Sequence, residues 1–160
     1  MTIPNLRPGF TLIEMLVVIA MIGLLAAVIL VATGSARSSA ADAAMKEGLN
    51  SARQQAELFA AANNGVYTNV CTATQANNGL ASILAGALSS SGQSAGVVNT
   101  TAATANQWNN ITCHENGNSW AVQAPYRAST SAAPSFWCVD SLGISKTTAT
   151  ALGGSVFACP

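Results

Sequence analysis

The sequence predicts an α+β fold, in which one long N-terminal helix packs on a small antiparallel sheet that carries disulfides. Two observations predict it. An apolar stretch followed by an amphipathic helical pattern occupies the N-terminal part of the 160 residues. Short alternating runs, turn residues and all four cysteines follow it. A chain of this length is long enough for a single core plus one long element.

Charged residues are scarce, and this scarcity excludes some classes of function. Six Lys and Arg balance six Asp and Glu, so the net charge is zero and the charged fraction is 8%, against about 25% in ordinary soluble domains. Direct nucleic-acid binding is not expected, because it needs clustered Lys and Arg to contact phosphates. The hydrophobic fraction of 50% instead indicates a membrane protein or a subunit of a tight assembly.

The first element is an uncharged stretch at residues 15–36. At about 1.5 Å per residue, a helix of this length spans a hydrocarbon core of about 30 Å. Glu14 stands at its beginning, and a carboxylate in an apolar membrane helix is costly and usually marks function. A plain membrane anchor leaves Glu14 unexplained, and a secretory signal peptide has a shorter apolar run.

The stretch PGFTLIEMLVVI at residues 8–19 resembles the processing site of type IV pilins and of the related pseudopilins of type II secretion. The resemblance rests on a glycine junction, a following Phe, a Glu four residues later and an uninterrupted apolar helix. It implies that prepilin peptidase, a membrane-embedded aspartyl peptidase, cuts between Gly9 and Phe10 and N-methylates Phe10. It also implies that Glu14 meets the N-terminal amine of a neighbouring copy in a filament. Phe10 and Glu14, at i and i+4, are expected on one helix face.

The helix is expected to continue beyond the apolar stretch. Apolar residues step by three or four along one face, which is typical of a helix that packs on a globular head; they are Ala41, Met45, Leu49, Ala52, Ala56 and Phe59. The charged residues between them are assigned to the solvated face, with Asp42–Lys46 and Arg53–Glu57 as i, i+4 pairs. Asn63-Asn64-Gly65 is a helix stop signal.

The chain therefore divides into four predicted segments. They are a leader peptide at residues 1–9, a transmembrane and assembly helix at 10–36, its amphipathic continuation at 37–63, and an extracytoplasmic head at 64–160. In the head we expect a short helix at 80–88, a surface loop at 89–106, a hairpin at 107–127 and one or two further strands. Within the hairpin, Trp120, Val122, Ala124 and Tyr126 alternate onto the face expected to pack on the helix.

All four cysteines follow the predicted membrane segment, which places them where disulfides persist; they are Cys71, Cys113, Cys138 and Cys159. Four cysteines allow three connectivities, and the residues alone leave the choice open. The resemblance to pilins favours Cys71–Cys113 with Cys138–Cys159, because a disulfide-bounded C-terminal loop is common in that family. The chain has no C-x-x-C pair and a single histidine, so we expect no zinc site and no cofactor.

No enzymatic function is expected. The sequence has no phosphate loop, no nucleophile elbow and no paired carboxylates. His114 and Glu115 are neighbours in a predicted turn and are assigned to the surface. Asp140 is assigned to a turn, and because it is the only acid in residues 116–160, a calcium site near the C-terminus is not expected.

The function that follows is a structural subunit of a type IV pilus, serving motility, adhesion or DNA uptake by the filament. The resemblance implies a single-pass precursor in the inner or cytoplasmic membrane and then an extracellular filament. It implies as partners copies of the same chain, prepilin peptidase, the membrane, and a pilus assembly platform with its ATPase. Two alternatives stay open: a pseudopilin of a type II secretion system and a monomeric membrane-anchored extracellular binding module.

Overall fold

The computed structural model describes residues 9–93, 96–101 and 107–160. The chain divides into two compact units, Met1–Arg37 and Ser38–Pro160, and each is described by itself. Helix α1, Leu12–Ala62, is 51 residues long and contributes to both units. Of the predicted leader, only Gly9 lies within the described residues.

The first unit contains the apolar half of α1. Its large side chains from Leu12 to Leu30 are exposed, and its most apolar 18-residue window has a mean hydropathy of 3.1 with none of it buried. By length and composition this helix suffices to cross a membrane. It begins at Leu12, so the expectation that Phe10 lies within the helix is wrong.

In the second unit, α1 supplies one side of the hydrophobic core. Met45, Leu49, Ala52 and Ala56 are fully buried and Phe59 is nearly so, which confirms these five positions of the predicted stripe. Ala41, the first predicted position, is only half-buried and lies outside the core. The helix ends at Ala62, where the Gly65 N–H donates to the Ala60 carbonyl at 2.8 Å and Gly65 has a φ of +81°. This left-handed backbone is the predicted stop signal.

The other side of the core is a five-stranded sheet in which every strand pairs with its neighbours in sequence. The strands are β1 Val98–Asn99, β2 Ile111–Glu115, β3 Trp120–Pro125, β4 Phe136–Asp140 and β5 Ser145–Thr148. The β1–β2 pair is parallel and the others are antiparallel. The 3-10 helix Gln75–Asn77 and helix α2, Ala81–Ser91, lie between α1 and β1 in the chain. The predicted α+β fold is confirmed.

The predicted loop at 89–106 is wrong in part. Helix α2 continues to Ser91, and β1 pairs Val98 with Ile111 and Asn99 with Thr112. Two residues are too few for a periodic pattern, and the pairing partner lies on a later strand, so local sequence carries no signal for β1. Residues 94–95 and 102–106 of this predicted loop lie outside the described residues.

The predicted hairpin is present, with Cys113 opposite Val122. Trp120, Val122 and Ala124 join the α1 stripe in the core, and the half-buried Tyr126 packs against it. The assignment of His114 to the surface is wrong, because its side chain is fully buried in β2 and its Nδ1 lies 3.1 Å from the Val156 carbonyl oxygen.

The C-terminal segment explains why the second face of the sheet is buried as well. The Gln123 amide donates to the Thr150 carbonyl at 2.8 Å and accepts the Leu152 N–H at 2.6 Å. The buried Asp140 carboxylate accepts the Cys159 N–H at 2.9 Å. Its other oxygen accepts the backbone N–H groups of the turn that follows, at 3.0 Å each, which agrees with the predicted turn-forming role.

The assignment of the charged residues of α1 to the solvated face is wrong in part, because four of them contact the head. The Asp42 carboxylate accepts the Arg127 backbone N–H at 2.8 Å. The Lys46 ammonium lies 4.9 Å from the centre of the Tyr126 ring and 5.0 Å from that of Trp137. Both distances are within the range of cation–π attraction.

Further along α1, two more charged side chains bind the head. The Arg53 guanidinium donates to the Ile144 carbonyl and to the Ser145 hydroxyl, both at 2.6 Å. The Glu57 carboxylate accepts the Tyr67 hydroxyl at 3.0 Å, and burial, together with Glu57, raises the pKa of Tyr67. These contacts lie on either side of the apolar stripe. Long charged side chains at its border can pack their aliphatic stems on the apolar surface while their charged ends bind polar groups of the head.

Replacing Lys46 by methionine should lower the stability of the head by about 1 kcal/mol, since the apolar stem is kept and only the cation between two rings is lost. Chemical denaturation of the full chain in mild detergent measures this loss. Glu47→Gln is the matched control, because Glu47 is exposed on the same helix and surface changes of this kind cost within about 0.5 kcal/mol. Equal stabilities of the two variants would contradict the contact.

Both disulfides join the sheet to a segment outside it. Cys71–Cys113 ties the segment that follows α1 to β2, and Cys138–Cys159 ties β4 to the C-terminal end. The Cα–Cα distances are 5.7 and 5.8 Å, within the usual range for disulfides. This is the pairing that the resemblance to pilins favours.

Candidate functional site

The candidate site lies where α1 begins, and it is built by a reciprocal hydrogen-bond pattern. Thr11 immediately precedes the helix and Glu14 lies in its first turn. The Glu14 carboxylate accepts the Thr11 N–H at 2.8 Å and the Thr11 hydroxyl at 2.9 Å. The Glu14 N–H in turn donates to the Thr11 hydroxyl oxygen at 3.3 Å. This is a capping box, in which Thr and Glu three residues apart satisfy backbone N–H groups that the helix leaves unpaired.

The capping box gives Glu14 a structural reason to be in the first turn. Its negative charge also lies at the positive end of the helix dipole. The role of Thr11 was missed by the sequence analysis, although the Thr-x-x-Glu spacing ahead of an apolar run was the signal that would have revealed it.

Phe10 and Glu14 border the same open surface pocket, which Ile13, Val17 and Val18 complete. Phe10 is 79% exposed and precedes the helix, so the two residues are not one helical turn apart as expected. Phe10 and Glu14 therefore share a surface at the helix start without lying on successive helical turns.

Gly9 lies in an open environment. A Cβ atom added at this position would meet nothing within 4 Å, and no left-handed φ requires glycine there. Packing among the described residues therefore does not require a glycine at position 9.

The other predicted site residues are in the head. The four cysteines are all paired in disulfides. His114 is buried in β2, while the neighbouring Glu115 accepts the Asn69 N–H at 2.8 Å and burial raises its pKa. The two side chains thus have separate structural roles, and the described residues hold no cluster of three His, Cys, Asp or Glu side chains that suits a metal ion.

The family model described as the prokaryotic N-terminal methylation motif matches residues 5–30. The chain carries a prepilin-type signal. This signal is the one found on type IV pilins and pseudopilins, whose members are structural subunits that prepilin peptidase processes. Neither a curated protein nor a solved structure matches the chain.

The prepilin-type signal covers the whole candidate site. Gly9, Phe10, Thr11 and Glu14 all fall inside the matched residues, together with the apolar half of α1 up to residue 30. The signal and the exposed apolar helix fit a membrane-anchored precursor that assembles into a filament. The second unit, Ser38–Pro160, which includes the head, lies outside the match.

Proposed function

We propose that the chain is a structural subunit of a type IV pilus. Prepilin peptidase cuts between Gly9 and Phe10 and methylates the new amine, the apolar half of α1 anchors the precursor in the inner or cytoplasmic membrane, and the subunit then polymerises into an extracellular filament. The observation that carries this proposal is the prepilin-type signal, which coincides with an apolar helix that nothing in the described chain covers.

The exposed apolar side chains support polymerisation through α1. The large hydrophobic side chains from Leu12 to Leu30 are between 42% and 91% exposed. Each square ångström of apolar surface removed from water contributes about 25 cal/mol, so this surface has to be covered by lipid or by protein. Lipid covers it in the precursor, and copies of the same helix cover it in the filament. Each copy contacts the next through different surfaces, and where the rotation between copies does not close into a ring the assembly grows as a fibre.

Cleavage would supply a cationic partner for Glu14. Among the described residues, one oxygen of its carboxylate is bound by neutral donors from Thr11 and no cation pairs with it. Removal of residues 1–9 creates an amine cation on Phe10, and a buried cation and carboxylate are tolerated together where each alone is not. A neighbouring subunit's amine that pairs with Glu14 fixes the axial position of one helix against the next.

The head supports an extracytoplasmic position. Its two disulfides persist in oxidising compartments, and its core is small enough to benefit from them. The disulfides form if the head lies in the oxidising compartment on the far side of the membrane. The peptidase, the assembly platform and the ATPase that drive processing and extrusion then act from the other side.

Shearing of intact cells that express the chain with its own assembly machinery tests the proposal. We expect long surface filaments that contain the processed chain, and we expect a photo-crosslinker at Val17 to join neighbouring copies. Crosslinked copies without sheared filaments would indicate a short pseudopilus of type II secretion. Processed chain without either filaments or crosslinks would indicate a monomeric anchored binding module.

A further inference from the structure

Three Asn-Gly pairs lie in turns of the head, at residues 64–65, 78–79 and 116–117. In such a pair the glycine amide nitrogen can attack the side-chain carbonyl carbon of the asparagine, because glycine has no Cβ to obstruct the approach. The reaction needs an amide nitrogen that is free of other bonds and a carbonyl group that is polarised. The third pair differs from the first two in its amide nitrogen. Its asparagine oxygen also accepts three hydrogen bonds, whereas the Asn78 oxygen accepts one, from the Gln55 side chain at 3.2 Å.

The first two pairs have an occupied glycine amide. The Gly65 N–H donates to the Ala60 carbonyl at 2.8 Å, as part of the helix end, and the Gly79 N–H donates to the Thr74 carbonyl at 2.9 Å. Attack by either nitrogen requires its hydrogen bond to break and the local turn to open.

The third pair is arranged differently. The Gly117 N–H has no hydrogen-bond partner among the described residues. The side-chain oxygen of Asn116 accepts three hydrogen bonds, from the Asn118 N–H at 2.9 Å, the Ser119 N–H at 2.8 Å and the Ser119 hydroxyl at 3.1 Å. Negative charge develops on this oxygen when its carbon is attacked, and donors fixed around such an oxygen stabilise that charge as an oxyanion hole does.

We propose that Asn116 is a self-modification site, which converts to aspartate or isoaspartate by way of a succinimide. A bond forms between the Gly117 nitrogen and the Asn116 Cγ, the bond from Cγ to the side-chain nitrogen breaks, and ammonia leaves with the Gly117 proton. Water then opens the ring at either carbonyl. No electron is transferred, and water, which reaches the exposed Asn116, is the only co-reactant.

The modification acts on the contact between this turn and the segment that follows α1. The Gly117 carbonyl accepts the Tyr67 N–H at 3.1 Å, and Glu115 accepts the Asn69 N–H. Isoaspartate inserts one additional carbon into the main chain just before Gly117 and displaces its carbonyl. We therefore expect the Tyr67 contact to weaken as the protein ages. The chemistry needs only the folded head and is independent of the pilus proposal.

Incubation of the folded, full-length chain in detergent at mildly alkaline pH, followed by peptide mapping and mass spectrometry, tests this proposal. The other two pairs are controls within the same molecule. We expect conversion at Asn116 to be at least about tenfold faster than at Asn64 or Asn78. About tenfold corresponds to the free energy of the one hydrogen bond that must break at Gly65 or Gly79 before its nitrogen can attack. In the reduced and denatured chain the three rates should converge. Equal or slower conversion at Asn116 in the folded chain would overturn the proposal.

Ser119→Ala separates activation from simple exposure. The variant removes the hydroxyl donor to Asn116 and keeps the backbone donor, so we expect conversion to become several-fold slower. Faster conversion would show that the three hydrogen bonds restrain the side chain, and it would overturn the activating role. Hydrogen exchange at the Tyr67 amide should accelerate in the modified fraction and remain unchanged in the unmodified fraction.

Discussion

Replacement of Glu14 by glutamine should lower filament yield by about 100-fold or more. This is the fold-change expected from the free-energy cost of removing one partner of a buried ion pair. Glutamine at this position of a capping box still accepts the Thr11 N–H, so the helix start is preserved and only the charge is removed. Cleavage between Gly9 and Phe10 and insertion into the membrane should continue. Quantification of sheared filaments against processed chain in the membrane measures the effect.

The companion variants distinguish charge from capping. Glu14→Ala removes both and should be as defective as Glu14→Gln, whereas Thr11→Ser keeps the capping hydroxyl and should assemble normally. If Glu14→Gln assembles like the unmodified chain while Glu14→Ala does not, the capping hydrogen bond is what assembly requires, and pairing with a neighbour's amine is wrong.

Removal of the disulfides should cause the largest losses of stability in the head. On the chain-entropy model, a cross-link that spans 42 residues contributes about 4 kcal/mol and one that spans 21 residues about 3 kcal/mol. The double variant Cys71→Ser with Cys113→Ser should therefore lose more than the double variant Cys138→Ser with Cys159→Ser. Such losses are a large share of the 5–15 kcal/mol that is typical of a folded domain.

Chemical denaturation of both double variants and of the parent chain, in the same detergent, measures these differences. In the double variant that lacks Cys138 and Cys159, the C-terminal segment remains bound to the sheet through Gln123 and Asp140. Its loss should be partial, with the sheet still folded. A loss below about 1 kcal/mol for either pair would show that packing alone holds the head together.

The parts of the fold that sequence predicts are those with a local signal. The α1 stripe has a helical period, the helix stop has a left-handed glycine, and the hairpin has alternating residues around an Asn-Gly turn. The candidate site is also local, because a glycine junction, a phenylalanine and a glutamate lie within six residues. Its fit to the prepilin-type signal was therefore visible without a structure.

The parts that sequence does not predict depend on partners far along the chain. Asp42 and Arg127 are 85 residues apart, and Arg53 and Ile144 are 91 residues apart. The i, i+4 spacing identifies the face of the helix on which these charged residues lie, but it does not identify the residues of the head that they contact. His114 is buried for the same reason, since residues near the C-terminus bind the second face of the sheet.

N-terminal sequencing with mass spectrometry, applied to the chain from membranes that contain an active prepilin peptidase, tests the proposed processing. We expect a mature chain that begins at Phe10, with an N-methyl group on the phenylalanine and without residues 1–9. A catalytically inactive peptidase should leave the bond between Gly9 and Phe10 intact. A chain that keeps residues 1–9 beside the active peptidase, or that is cut elsewhere, would contradict the account.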